Sequence, residues 1–131
     1  MKIVLDANIF ISSFFWGGNP KIILERIISG IDELFITNEI LDEIENVLRR
    51  PKFHADNDRI NYLINLMEEI AIKITPQKLM KKGSRDRKDN KYIECGKTAS
   101  VQFIISGDIH LLELNKYENM KILSAKEYLV T

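Results

Sequence analysis

Four acidic residues, Asp6, Glu43, Asp89 and Asp108, stand where their side chains could meet around a divalent cation. Two of them close short apolar runs: Lys2-Ile3-Val4-Leu5 leads into Asp6, and Phe103-Ile104-Ile105 leads through Ser106-Gly107 into Asp108. Runs this rich in Ile and Val, without strict alternation, read as strands buried on both faces of a parallel sheet. In open sheets of that kind ligands bind in the crevice beyond the carboxyl ends of the strands, where both aspartates fall. Carboxylates gathered there repel one another unless something cationic lies between them. Oxygen-only donors suit Mg²⁺ or Mn²⁺. Such an ion lowers the pKa of bound water and stabilises charge on a scissile phosphate, and a pair of ions about 3.5 to 4 Å apart would clamp attacking and leaving oxygens together. Phosphodiester hydrolysis is the natural chemistry. The competing reading makes each aspartate only a strand-end or helix N-cap residue, a frequent role for Asp.

The two other acids are chosen by helix geometry. After the second strand a helix offers Glu39, Asp42, Glu43 and Glu45. At 100° per residue its apolar stripe centres near Ile44, so Glu39 and Asp42 point away while Glu43 and Glu45 flank the stripe. A helix that follows a parallel strand runs back from the strand's carboxyl end, which favours the earlier residue, Glu43. Asp89 opens a later helix three and four residues before Tyr92 and Ile93, on the inward face. An acid favoured by the helix dipole would occupy the same place, and Asp86, one turn earlier, ranks below it. Asn8, Ser12 and Ser106 are polar neighbours able to order water or touch a phosphate, although Asn8 is equally suited to cap the first helix. The stretch Lys78 to Lys88, with Lys81, Lys82 and Arg85, is strongly basic and leads into Asp89. It reads either as a solvated loop or as a substrate contact.

The elements that must position these residues alternate. Strands are expected at about Lys2 to Leu5, Leu34 to Thr37, Ala71 to Ile74 as an edge, Gln102 to Ile105 and Lys121 to Leu123. Helices are expected near Asn8 to Phe15, after Pro20 and up to Gly30, from Asn38 to Arg50, Asp56 to Ile70, Lys88 to Ala99 and Asp108 to Leu114, with one more at the end. Strand and helix alternating at this spacing mean βαβ units, hence an α/β fold: a three-layer α/β/α sandwich around a central parallel sheet.

With 131 residues the chain suits one domain, spanning 1–131. Its 45% hydrophobic and 29% charged content is that of a globular protein. A formal net charge of zero argues against coating nucleic acid by bulk charge, so any polyanion must be met by a local patch or a metal. The single cysteine, Cys95, excludes an intrachain disulfide and a Cys-based zinc site and suits the cytoplasm. Met1 to Trp16 is apolar, but Asp6 and Asn8 interrupt it and no small-residue cleavage site follows, so a signal peptide is not expected. No run reaches the roughly 18 apolar residues of a membrane span.

Ile3-Val4-Leu5-Asp6-Ala7-Asn8-Ile9-Phe10 resembles the opening of PIN-domain nucleases, and Ile104-Ile105-Ser106-Gly107-Asp108 resembles their late strand motif. Between them, Thr37 to Ile44 is similar to the helix carrying the family's second acid, and Arg85 to Tyr92 to the segment carrying its third. The resemblance is closest to the branch described as toxins of toxin–antitoxin systems. It implies a metal-dependent ribonuclease acting on RNA through Asp6, Glu43, Asp89 and Asp108, often a homodimer, and held inactive by a small antitoxin protein. One departure is His110, standing where many members carry a further acid. Rival readings are a catalytically inactive domain of this fold that binds RNA or serves as a scaffold, and a phosphatase of another α/β family. The phosphatase chemistry usually wants a second Asp two residues after the first, where this chain has Asn8. No Gly-x-Gly-x-x-Gly follows the first strand, which disfavours dinucleotide binding.

Overall fold

The computed structural model describes residues 1–78 and 87–131. The basic stretch holding Lys81, Lys82, Arg85 and Asp86 lies outside the described residues. The chain opens with strand β1 (Lys2–Leu5), helices α1 (Ala7–Phe15) and α2 (Gly18–Ile28), strand β2 (Glu33–Ile36) and helix α3 (Asn38–Leu48). A 3₁₀ turn at Pro51–Phe53 leads to α4 (Asn57–Ile70) and β3 (Ala71–Lys73). A second 3₁₀ turn, Arg87–Asp89, runs into α5 (Asn90–Ala99). Then follow β4 (Phe103–Ile105), α6 (Ile109–Leu114), β5 (Lys116–Tyr117), β6 (Met120–Leu123) and α7 (Ala125–Leu129).

Among the described residues the strands join one sheet in the order β3-β2-β1-β4-β6-β5. Successive side chains of a strand point to opposite faces, yet Ile3, Val4 and Leu5 of β1 and all of β4 are buried. Both faces are therefore covered by helices, and the α/β layering expected from the sequence is the one observed. The expectation of a parallel sheet needs one correction. β5 pairs antiparallel with β6 (Lys116↔Lys121, Tyr117↔Met120), so the sheet is mixed. A two-residue strand closed by a tight turn, with Glu118 at φ 52°, has no periodicity to announce it.

The position of the site follows from strand order. From β1 the chain builds outward to β2 and β3, then crosses back to place β4 on the other side of β1, with Ile3↔Phe103 and Leu5↔Ile105 in register. The sheet reverses direction of growth between β1 and β4, which makes their carboxyl ends the expected crevice. Local chemistry fixes where each helix starts. Side-chain oxygens of Asp6, Thr37, Asp56, Asp108 and Ser124 cap α1, α3, α4, α6 and α7, the last through a reciprocal bond with Glu127. α1 ends at Gly17 and Gly18, whose φ values of 74° and 67° favour glycine. α5 lies so close to the sheet that a Cβ at Gly96 would stand 2.7 Å from Met120 Sδ and 3.0 Å from Val101 Cγ2. The α3 stripe of Ile40, Leu41, Ile44, Val47 and Leu48 is buried throughout.

At the opposite, amino-terminal edge of the sheet Asp32 is only 2% exposed. It accepts hydrogen bonds from Arg26 Nε at 2.8 Å and from Tyr128 Oη at 2.7 Å, joining α2, the approach to β2, and α7. Burial pushes the Asp32 carboxyl up, but these bonds and the Arg26 charge outweigh it and hold the group below its ordinary value. A carboxylate with a lowered folded-state pKa stabilises the fold above its unfolded value near pH 4, and that contribution disappears as pH falls through the folded value. Asp32→Asn should cost about 2 kcal/mol of unfolding free energy at pH 7, the scale of a lost charged hydrogen bond. In denaturant titrations across pH, the gap between wild type and variant should hold steady above about pH 5 and close below about pH 4.

Candidate active site

Asp6, Glu43, Asp89 and Asp108 all line one cleft of about 70 Å³, together with Ala7, Asn8, Val47, Arg50 and Tyr92. The acids arrive from the ends of β1 and β4, from the second turn of α3 and from the start of α5. Asp6 and Asp108 follow from the pairing of β1 with β4, and Asp6 N donates to Ile105 O at 3.1 Å. Of the two acids flanking the α3 stripe, Glu43 reaches the cleft, whereas Glu45 is held by Arg49 Nε at 3.3 Å.

Asp6 is 3% exposed and surrounded by donors. Oδ1 accepts from Ile9 N at 2.9 Å, and Oδ2 accepts from Ser106 Oγ and from Gly107 N at 3.3 Å. Burial raises its pKa, the bonds from Ser106, Ile9 and Gly107 oppose that rise, and the Asp108 charge adds to it. Asp6 is thus a carboxyl whose ionised form a cation in the cleft would favour. Ser106 Oγ in turn accepts from Asp108 N at 2.9 Å, so one buried hydroxyl sets the spacing of the two aspartates. The serine expected as a phosphate contact is therefore committed to Asp6 and closed to solvent. Asp108 caps α6 through Oδ1, 2.7 Å from His110 N. Both aspartates do serve as N-caps, and both still face the cleft.

Glu43 is oriented by two residues that spacing did not single out. Tyr92 Oη donates to Glu43 Oε2 and accepts from Ala7 N at 3.0 Å, and Lys91 Nζ lies 3.4 Å from the same Glu43 oxygen. Burial, the bond to Glu43 and the charge of Asp6 all push the Tyr92 phenol upward, so it remains a protonated donor. Asp89 is buried on the cleft wall and Asn8 is exposed at its rim. Ser12 does not line the cleft; its carbonyl receives Trp16 N and Gly17 N at the end of α1. His110 is exposed and also outside the cleft.

Among the described residues no three acids or histidines are grouped closely enough to enclose one ion. The donor set nevertheless fits a hydrated Mg²⁺ or Mn²⁺. Mg²⁺ in particular needs only one or two carboxylates and keeps several waters, and among the described residues no ion pair is made to the buried Asp6 or to Asp108. Lys91 pairs with Glu43 and offsets part of the acid charge.

The family model for the PIN domain matches residues 2–110, a span that includes all four acids. Comparison with curated proteins finds no match. The chain belongs to the PIN domain family, whose members are generally nucleases and typically use divalent metals. No helix among the described residues is long and apolar enough to cross a membrane. Tyr92→Phe should lower the unfolding free energy by about 1 to 3 kcal/mol, because it strands the buried Ala7 N–H. Chemical denaturation checks this, with Tyr62→Phe on the exposed face of α4 as the neutral comparison.

Proposed function

We propose that this PIN-domain chain is a metal-dependent endoribonuclease that hydrolyses RNA phosphodiester bonds. We further propose that it is the toxin of a toxin–antitoxin pair, working in the cytoplasm as a homodimer and restrained by a small antitoxin protein. The observation that carries the nuclease reading is the meeting of four acids from four elements in one cleft at the β1/β4 switch point. The toxin assignment rests on the likeness of the sequence motifs to that branch.

Asp6, Glu43, Asp89 and Asp108 would hold Mg²⁺ or Mn²⁺. When bound, such an ion lowers the pKa of a water and neutralises charge building on the phosphate. The rest is done by the chain. Ser106 and Gly107 hold the Asp6 carboxylate in one orientation, and Tyr92 and Lys91 do the same for Glu43. These supports keep the acids in place while the cleft is being filled, which limits the reorganisation that binding requires. Asn8 at the rim is placed to touch substrate, and Lys81, Lys82 and Arg85 before Asp89 supply local positive charge to a neutral chain. The alternative is an inactive RNA-binding or scaffold module. It is favoured by the ties of Asp6 and Glu43 to the chain's own donors.

Cleavage of single-stranded RNA in Mn²⁺, paired with thermal melting, separates the two readings. Asp6→Asn and Asp108→Asn should each reduce the rate by about 100-fold or more and leave the melting temperature at or above that of wild type, because Asn still caps a helix. Asp58→Asn, on the exposed first turn of α4, should cut like wild type. Equal rates in all three variants would leave the binding-module reading in possession. Millimolar Mn²⁺ should raise the wild-type melting temperature by ligand linkage, and a flat curve would count against a metal site. Replacing Lys81, Lys82 and Arg85 together should weaken RNA binding and reduce its log–log salt slope by about 2, near 0.7 per contact on single strands. Unchanged affinity and slope would return that stretch to solvent.

A further inference from the structure

Two cavities share Arg50. It lines the acid cleft and also an adjoining groove of about 350 Å³ running beside α3, bounded by Glu39, Asp42, Asn46 and Lys88. The neighbouring arginine shows what an ordinary surface guanidinium does here: Arg49 Nη1 donates to Asn57 Oδ1 at 3.0 Å, and its Nε pairs with Glu45. Arg50 makes no such side-chain bond among the described residues, although carboxylates stand on both sides of it. Its backbone is firmly held. Arg50 N donates to Val47 O at 3.1 Å, its carbonyl accepts from Phe53 N at 3.1 Å, and its extended conformation is the one the following Pro51 requires. Phe53 is packed against Phe15 and Trp16, with ring centroids 5.1 and 5.8 Å away, which fastens the turn to the end of α1.

We infer that Arg50 is a substrate-positioning residue, gripping a phosphate of the RNA strand next to the scissile one and so directing the strand from the cleft into the groove beside α3. The inference rests on the nuclease reading and deepens it. Its chemical basis is charge and shape. The groove wall carries Glu39, Asp42 and Glu43, and a phosphodiester will not lie against these acids without a cation. Lys91 already faces Glu43. Arg50 instead offers a planar fork of donors that matches two phosphate oxygens at once. It stands at the junction of the two cavities, where a strand leaving the cleft must pass. Because Arg50 is exposed and its side chain makes no hydrogen bond or ion pair among the described residues, its loss should be felt in binding and not in folding.

The test uses the whole chain and a fluorescent oligouridylate, with anisotropy read in EDTA and cleavage read in Mn²⁺. Arg50→Gln should weaken binding about tenfold and reduce the log–log salt slope by about 0.7. It should raise KM by a similar factor with kcat within about twofold and the melting temperature unchanged. Arg50→Lys should recover the salt slope but only part of the affinity, since it restores the charge without the fork. Arg49→Gln removes the same charge from the next position and should behave as wild type. Equal losses in the Arg49 and Arg50 variants, or wild-type KM and affinity in Arg50→Gln, would overturn the inference. A lowered melting temperature with no change in binding would overturn it too. If wild type binds but cuts nothing in Mn²⁺, the nuclease reading fails by itself, while the EDTA measurements still decide whether Arg50 holds a phosphate.

Discussion

The pairing of β1 with β4 is the constraint on which the rest of the molecule turns. It sets Leu5 beside Ile105, and through that register it sets Asp6 beside Ser106, Gly107 and Asp108. Closing a loop of this length costs conformational entropy that grows only slowly with length. Burial of Ile3, Val4, Leu5, Ile104 and Ile105 on both sheet faces offsets it. A slip of one residue in this pairing would send the side chains of the shifted strand to the other face. The geometry of the cleft is thus specified by hydrophobic packing a few ångströms away from any charge.

What remains for the polar residues is to hold like charges together. The cleft resists collapse by distributing donors among its acids: a hydroxyl and two backbone N–H groups on Asp6, a phenol and an ammonium on Glu43, a backbone N–H on Asp108. Ser106 and Tyr92 each serve two elements at once, since each oxygen both donates to a carboxylate and accepts from a backbone N–H. A hydroxyl can do this because it carries one proton and two lone pairs.

Much of this was legible in the sequence where the governing physics is local. Continuous Ile/Val runs marked β1 and β4, and the helical stripe reduced the α3 acids to Glu43 and Glu45, between which the direction of the helix favoured Glu43. The edge position of β3 was readable from its short segment before Thr75-Pro76. Other features depended on neighbours far along the chain. Tyr92 looks in the sequence like a core aromatic, and only the approach of Ala7 and Glu43 turns its hydroxyl into a bridge. Asp32 drew no notice in the sequence, and it becomes a junction only when α7 delivers Tyr128 from residues far along the chain. Arg50 follows another arginine of identical chemistry, and the two differ only in what surrounds them. Ser106 was noticed for its polarity, but its burial reverses the direction in which that polarity points.

The separation of Asp6 from Asp108 also has a meaning in time. As the chain is synthesised, β1, α1 and the acid-bearing α3 emerge early, yet β4 and the Ser106 and Gly107 donors to Asp6 follow only after β2, β3 and five helices have been made. A nascent chain short of that point has no partner strand for the open side of β1, no Ser106 to orient Asp6 and no second aspartate. Assembly of the cleft therefore waits on β4, and a chain that stops before β4 lacks Asp108 and the groups that orient Asp6.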